Sequence, residues 1–131
     1  VADTTVVAGT QDGLREVCGQ PDPSQHGADV RDWLTRLLAG KTHKVHTAVM
    51  ASCGQQRTSQ IVTTEVEFVP LNETQIDWYV KSGEPQGKAG GYAIQGLAAA
   101  FVHRVSGSLT TVIGLPLLET LQLIRIISQS R

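Results

Sequence analysis

The 131 residues carry 11 Lys and Arg against 12 Asp and Glu, which leaves a net charge of −1 and a pI of about 6.4. Such a balance gives no electrostatic reason to expect a nucleic-acid partner. No apolar run approaches the ~20 residues that a membrane-spanning helix needs, so we expect no membrane partner. Cys18 and Cys53 form neither a disulfide framework nor a CxxC metal pair. We therefore expect reduced thiols, a cytoplasmic protein and one domain over residues 1–131.

The first half of the chain predicts a strand, a loop, a helix and a hairpin. The run VADTTVVAG (1–9) is rich in β-branched residues and is typical of a strand. A loop with Gly, Pro and Asp follows and has room for a short hairpin. A helix then begins near Asp22 or Ser24 and ends at Gly40, because its apolar residues recur on one face. Two β-rich runs, 42–53 and 57–70, predict a long hairpin.

The next elements are shorter. Asn72 is placed to cap a helix that ends near Gly83. A loop dense in glycine, 84–96, leads into a short strand, and residues 98–108 predict another strand that ends in a turn.

The last elements are an extended piece and a helix. Residues 109–114 predict the short extended piece, and Pro116 stands in the first turn of the helix. One side of this helix is expected to carry Leu117, Leu121, Ile124 and Ile127 or Ser128. The order of all elements predicts an α/β fold, with a mixed sheet flanked by helices.

Asp3 is a carboxylate inside the first strand, where an unpaired charge is costly. With Thr4 beside it, Asp3 suits a divalent metal or a general base that takes a proton from water. It suits equally well a buried carboxylate satisfied by neighbouring backbone N–H groups.

The glycine loop contains five glycines within residues 83–96. Glycine lets the backbone approach a ligand closely and lets N–H groups converge on an anion. Lys88 suits phosphate oxygens, and the amide of Gln95 suits the edge of a nucleobase. The alternative is a turn-rich connection whose lysine is solvated.

Two further patterns lie on strands. Glu65 and Glu67 point to one face of their strand and either help to hold a metal or form a solvated face. His43 and His46 are three residues apart, which places them on opposite faces of a strand. We expect both to be solvated or capping histidines.

Together these stretches resemble the Maf (septum-formation inhibitor) family of nucleoside triphosphate pyrophosphatases, over the whole chain. The stretches are ADT (2–4), LAGKTHKVHTAV (38–49), TTEVEF (63–68), GEPQGKAGGYAIQG (83–96) and SGSLTTVIGLPLLET (106–120). ADT together with IQG resembles the branch that acts on dTTP and UTP.

The resemblance implies a Maf/ITPase-like fold that cleaves a pyrimidine nucleoside triphosphate to a monophosphate and pyrophosphate. Asp3 would be the proton acceptor, and Thr4 and Gln95 would tune base choice. Lys88 and Glu65 would line the phosphate and metal region, where Mg²⁺ or Mn²⁺ bridges the phosphates. Members of the family commonly pair, so a homodimer or a place in a larger chain or complex is expected.

The chain departs from the family pattern at three places. Gln20 stands where a lysine is usual, Gly87 stands where an acidic residue is usual, and no arginine-bearing segment precedes ADT. One reading is a family member whose N-terminal part is missing from this sequence. The other is a catalytically degenerate domain that serves as a nucleotide-binding or protein-interaction subunit.

Overall fold

A five-stranded sheet lies at the centre of the computed structural model, which describes residues 1–130. Its strands are β1 (Ala2–Gly9), β2 (Arg15–Cys18), β3 (Thr42–Cys53), β4 (Gln56–Phe68) and β5 (Val102–Ser106). They are ordered β2-β1-β3-β4-β5, and each neighbouring pair is antiparallel. The expected α/β fold is confirmed, but its sheet is antiparallel and not mixed. Tight turns join β1 to β2 and β3 to β4, and such turns make antiparallel neighbours.

The helices flank this sheet. They are α1 (Ala28–Trp33), which continues into a π-helical turn at Leu34–Leu38, and α2 (Glu73–Lys81), α3 (Leu109–Ile113) and α4 (Leu117–Gln129). Asn72 caps α2 as predicted: its side chain accepts a hydrogen bond from Gln75 N at 2.8 Å, and Gln75 Oε1 accepts one from Asn72 N at 2.9 Å. This reciprocal capping box satisfies two backbone donors that the helix itself cannot pair.

Two predicted elements are wrong. The predicted extended piece 109–114 is instead the helix α3 followed by Gly114, because the Ser108 hydroxyl caps the first turn of the helix and Gly114 ends it with a φ of 120°. The glycine loop does not run into a strand either, since turns and a 3₁₀ helix at Leu97–Phe101 separate it from β5. In both places local capping and turn geometry override the strand preference of β-branched and apolar residues.

The core lies on the side of the sheet that faces the helices. Val6, Val45 and Val66 point inward from three adjacent strands and are almost fully buried. The helix α4 contributes Leu123 and Ile127 to the buried residues. Three residues expected on one side of α4 together with Ile127 are instead 50–65% exposed: Leu117, Leu121 and Ile124. None of the helices within residues 1–130 has the length and hydropathy that a membrane crossing requires.

Candidate functional site

A cavity of about 290 Å³ opens between β1, the glycine loop and the end of α3. This volume is close to the lower limit of roughly 300 Å³ for small-molecule pockets. Its lining includes Asp3 and Thr4 from β1, Lys88 and Gln95 from the loop, and residues 112–114 from α3. The fold therefore brings together four of the residues that the sequence selected.

Glu65 does not reach this cavity. The buried side chains of Val6 and Val45 line the cavity, so it lies on the helix side of the sheet. Along β4, Val66 points to that side, whereas Glu65 is exposed on the opposite face. In addition, β3 separates β4 from β1. Glu65 is therefore not among the residues that line the cavity and lies two strands away from β1, outside the expected phosphate and metal region.

The glycine loop lies directly against the sheet. Gly90 adopts a φ of 71°, and its N–H donates to the carbonyl of Gly19 at 3.0 Å. A Cβ atom at Gly90 would lie 2.7 Å from Cγ2 of Val6, and one at Gly91 would lie 3.0 Å from Cγ2 of Val30. Both glycines are therefore required for contact with the protein itself, a use that the sequence alone did not reveal.

A carboxylate holds the far end of this loop. Oε2 of Glu84 accepts from Leu97 N at 2.7 Å, and Oε1 accepts from Ala98 N at 3.2 Å and from the Tyr79 hydroxyl at 3.0 Å. The Tyr79 oxygen in turn accepts from Ala93 N at 3.3 Å. Together, Tyr79 and Glu84 hold both ends of residues 93–98, the segment that presents Gln95 to the cavity.

These hydrogen bonds favour the ionised form of Glu84. Burial by itself would raise the pKa of Glu84, but the N–H groups of Leu97 and Ala98 and the Tyr79 hydroxyl lower it below its usual value. Sequence reasoning did not select Glu84. Only the structure reveals its role, since a side chain at Gly96 would collide with the Glu84 carboxylate.

Comparison with known proteins places the chain in a family. The model of the family described as Maf-like protein matches residues 1–127. The chain belongs to the Maf family.

Several curated relatives are similar over most of the chain. It is 48% identical to a dTTP/UTP pyrophosphatase of Bordetella parapertussis over 127 residues, which cover 95% of this chain and 56% of that protein. It is 44% identical to one of Salmonella typhimurium over 123 residues, which cover 94% and 58% respectively. For one of Acinetobacter baylyi, the identity is 43% over 110 residues, with coverage of 84% and 58%. The chain thus spans less than two thirds of the length of these relatives.

Two of the three positions that were expected to depart from the Maf pattern lie at the cavity. Gln20 and Gly87 are part of its lining, and neither side chain carries a charge. The charged residues in the lining are Asp3 and Lys88. The electrostatic character of this Maf cavity therefore rests on one carboxylate and one ammonium group.

A buried histidine supports the cavity wall in this Maf chain. His43 is 2% exposed, and its Nε2 lies 2.6 Å from the hydroxyl of Tyr92, which lines the cavity. Burial lowers the pKa of His43 to about 4, so the ring is neutral near pH 7. The expectation of a solvated or capping role is wrong for His43, because its side of β3 faces the core. His46 lies on the other face as predicted, 2.8 Å from the Thr63 hydroxyl.

His43 makes the stability of the fold depend on pH. The ordinary pKa of His is 6.5, so between about pH 6.5 and 4 the unfolded chain binds a proton that the folded chain does not. Acidification through this window therefore favours unfolding, by up to about 3 kcal/mol. Urea unfolding at pH 7 and pH 4.5 should show a smaller loss of stability in His43→Gln than in the native protein. An equal loss in both proteins would contradict this assignment.

Removal of the negative charge of Glu84 should loosen the segment that carries Gln95. In Glu84→Gln, an amide NH₂ group replaces one acceptor oxygen and faces backbone donors, so we expect unfolding to become easier by about 2 kcal/mol. The measurement is urea unfolding at pH 7. Glu65→Gln is the matched control, because Glu65 is exposed and should change the stability by less than about 0.5 kcal/mol. Equal effects of the two substitutions would argue against the role of Glu84.

Proposed function

We propose that the protein containing this Maf chain is a nucleoside triphosphate pyrophosphatase that acts on dTTP or UTP. The observation that carries the proposal is the convergence of Asp3, Thr4, Lys88 and Gln95 in one cavity. Support also comes from relatives 43–48% identical that are named dTTP/UTP pyrophosphatases. Homodimer formation and a cytoplasmic location stay predictions from the sequence.

The charged residues suit the phosphate chemistry of this reaction. Water attacks as the bond between the α and β phosphates breaks, and a monophosphate and pyrophosphate result. Asp3 is exposed and takes the proton of the attacking water as a general base. The ammonium group of Lys88 offsets the negative charge that builds on the departing pyrophosphate. The amide of Gln95 and the hydroxyl of Thr4 are left to contact the nucleoside.

A divalent cation, Mg²⁺ or Mn²⁺, is part of the proposal. Within residues 1–130, no three acidic, His or Cys side chains gather as a metal cluster. Mg²⁺ is commonly held by one or two carboxylates together with substrate phosphates and water. The exposed carboxyl residue Asp3 lines the cavity and fits this kind of site, whereas Glu65 does not line it. When bound, the cation would neutralise phosphate charge.

Replacement of Asp3 tests the proposed reaction. Pyrophosphate release from UTP and dTTP should fall by about a hundredfold or more in Asp3→Asn, because general-base catalysis is worth roughly 10²–10⁴ in rate. Glu65→Gln removes a carboxylate outside the cavity and should retain native activity. If the native protein released no pyrophosphate from any nucleoside triphosphate, the proposed activity would be wrong, and a nucleotide-binding or interaction subunit would take its place.

Metal removal is the second test of this function. Treatment with EDTA should abolish pyrophosphate release, and added Mg²⁺ or Mn²⁺ should restore it, because the cation neutralises the phosphates. Calorimetric titration with UTP, with and without EDTA, separates lost binding from lost turnover. Undiminished release in EDTA would overturn the metal requirement.

A further inference from the structure

A chain of hydrogen bonds joins the cavity to α3 through two threonines. Thr47 on β3 stands directly opposite Thr4 on β1 and is fully buried. Its Oγ1 lies 2.8 Å from the carbonyl oxygen of Thr111 and 2.9 Å from Oγ1 of Thr4. Hydroxyl groups donate one hydrogen bond each, whereas a carbonyl oxygen only accepts.

This geometry sets the direction of both bonds. Because Thr111 presents a carbonyl oxygen, the single hydroxyl hydrogen of Thr47 goes to it. The bond between the two hydroxyls therefore runs from Thr4 to Thr47, and it uses the only hydroxyl hydrogen of Thr4. Gly114 N also donates to this carbonyl, at 3.2 Å, but the reverse direction would leave the oxygens of Thr47 and Thr111 only 2.8 Å apart with no hydrogen between them, which is unfavourable. Thr4 thus presents only lone pairs to the cavity that it lines.

We propose that Thr47 is a positioning residue that fixes the Thr4 hydroxyl as a hydrogen-bond acceptor, so that the cavity selects nucleotides with an N–H or O–H donor at that point. The inference rests on the proposed function. Uracil and thymine carry a ring N–H between two carbonyl groups, whereas cytosine carries an unprotonated, accepting nitrogen at the same place. The ribose 2′-hydroxyl is the other donor that the proposal considers, and deoxynucleotides lack it. Either donor can form a hydrogen bond to the Thr4 oxygen. An accepting atom of a ligand would instead be repelled by the lone pairs of that oxygen.

The substitution Thr47→Val tests this role. Valine keeps the shape of threonine but cannot accept from Thr4, so the Thr4 hydroxyl becomes free to turn and donate to the ligand. We expect the ratio of kcat/KM for UTP to that for CTP to fall about tenfold, mainly because CTP improves. If Thr4 instead contacts the sugar, the ratio for UTP to dUTP falls while the ratio for UTP to CTP stays constant. Either result supports the fixed acceptor, and the two identify different contacting groups.

Two variants separate this role from a structural one. Thr64 is also buried and donates to the Ser108 carbonyl at 2.7 Å, so it holds the start of α3 without lining the cavity. Thr64→Val should therefore lower stability in a similar way and leave both ratios unchanged. Thr47→Ser keeps the hydroxyl and should restore the native ratios. If Thr47→Val does not fold, Thr4→Val removes the acceptor itself. It should lower the same ratio that Thr47→Val is expected to lower: UTP to CTP if Thr4 contacts the base, or UTP to dUTP if it contacts the sugar.

The outcomes distinguish this inference from the proposed function. If the native protein hydrolyses UTP and Thr47→Val behaves like Thr64→Val in both ratios, the fixed acceptor is wrong and the enzyme activity stands. If no triphosphate is hydrolysed, calorimetric binding of UMP, dUMP and CMP gives the same two ratios without turnover. Tighter binding of UMP than of CMP or dUMP, by a factor that becomes smaller in Thr47→Val, would then support the inference although the proposed activity fails. Equal binding of all three monophosphates would overturn it.

Discussion

The close approach of Gly90 to Val6 determines where the rest of the cavity lies. A side chain at Gly90 would overlap Val6, and the positive φ of 71° is one that other residues rarely adopt. The loop backbone can therefore rest on β1 with nothing between them. Through this contact, Lys88 and Gln95 are placed beside Asp3 and Thr4, which lie far from them in sequence. A bulkier residue at Gly90 would move one half of the site away from the other.

Polar contacts replace regular secondary structure along this loop. Tyr92 packs edge-to-face on Phe68, with ring centroids 4.9 Å apart, and meets the neutral ring of His43. Beyond it, Glu84 and Tyr79 pair backbone N–H groups that no sheet or helix would otherwise satisfy. Buried polar groups are costly unless they are paired, so these contacts favour one arrangement of the loop over others. The orientation of Gln95 therefore depends on residues that do not line the cavity.

The cavity combines groups suited to phosphate with groups suited to a nucleoside. Asp3 and Lys88 supply opposite charges, whereas Thr4 and Gln95 supply neutral hydrogen-bonding groups. Gln20 and Gly87 also line the cavity and add no charge to it. Among the neutral groups, the Thr4 hydroxyl is hydrogen-bonded to Thr47, which does not itself line the cavity. Thr47 determines the direction of that bond. In the proposed function, recognition of the nucleotide thus depends on hydrogen-bond direction as well as on charge.

Local pattern was enough to predict the long hairpin and the capped helix after Asn72, because alternation and capping are local properties. It left the roles of Asp3, Lys88 and Gln95 open, and the selection of these residues with Thr4 as one site came from the resemblance to the Maf family. The same alternation predicted opposite faces for His43 and His46 but not which of them is buried. Likewise, amphipathic spacing in α4 did not reveal that Leu123 faces the core while Leu121 is exposed. The burial of a face, the link from Glu84 to Leu97 and the direction of the Thr47 bond depend on what packs against each element. Only the tertiary structure decided them, because they arise between segments whose separation in sequence carries no information about contact in space.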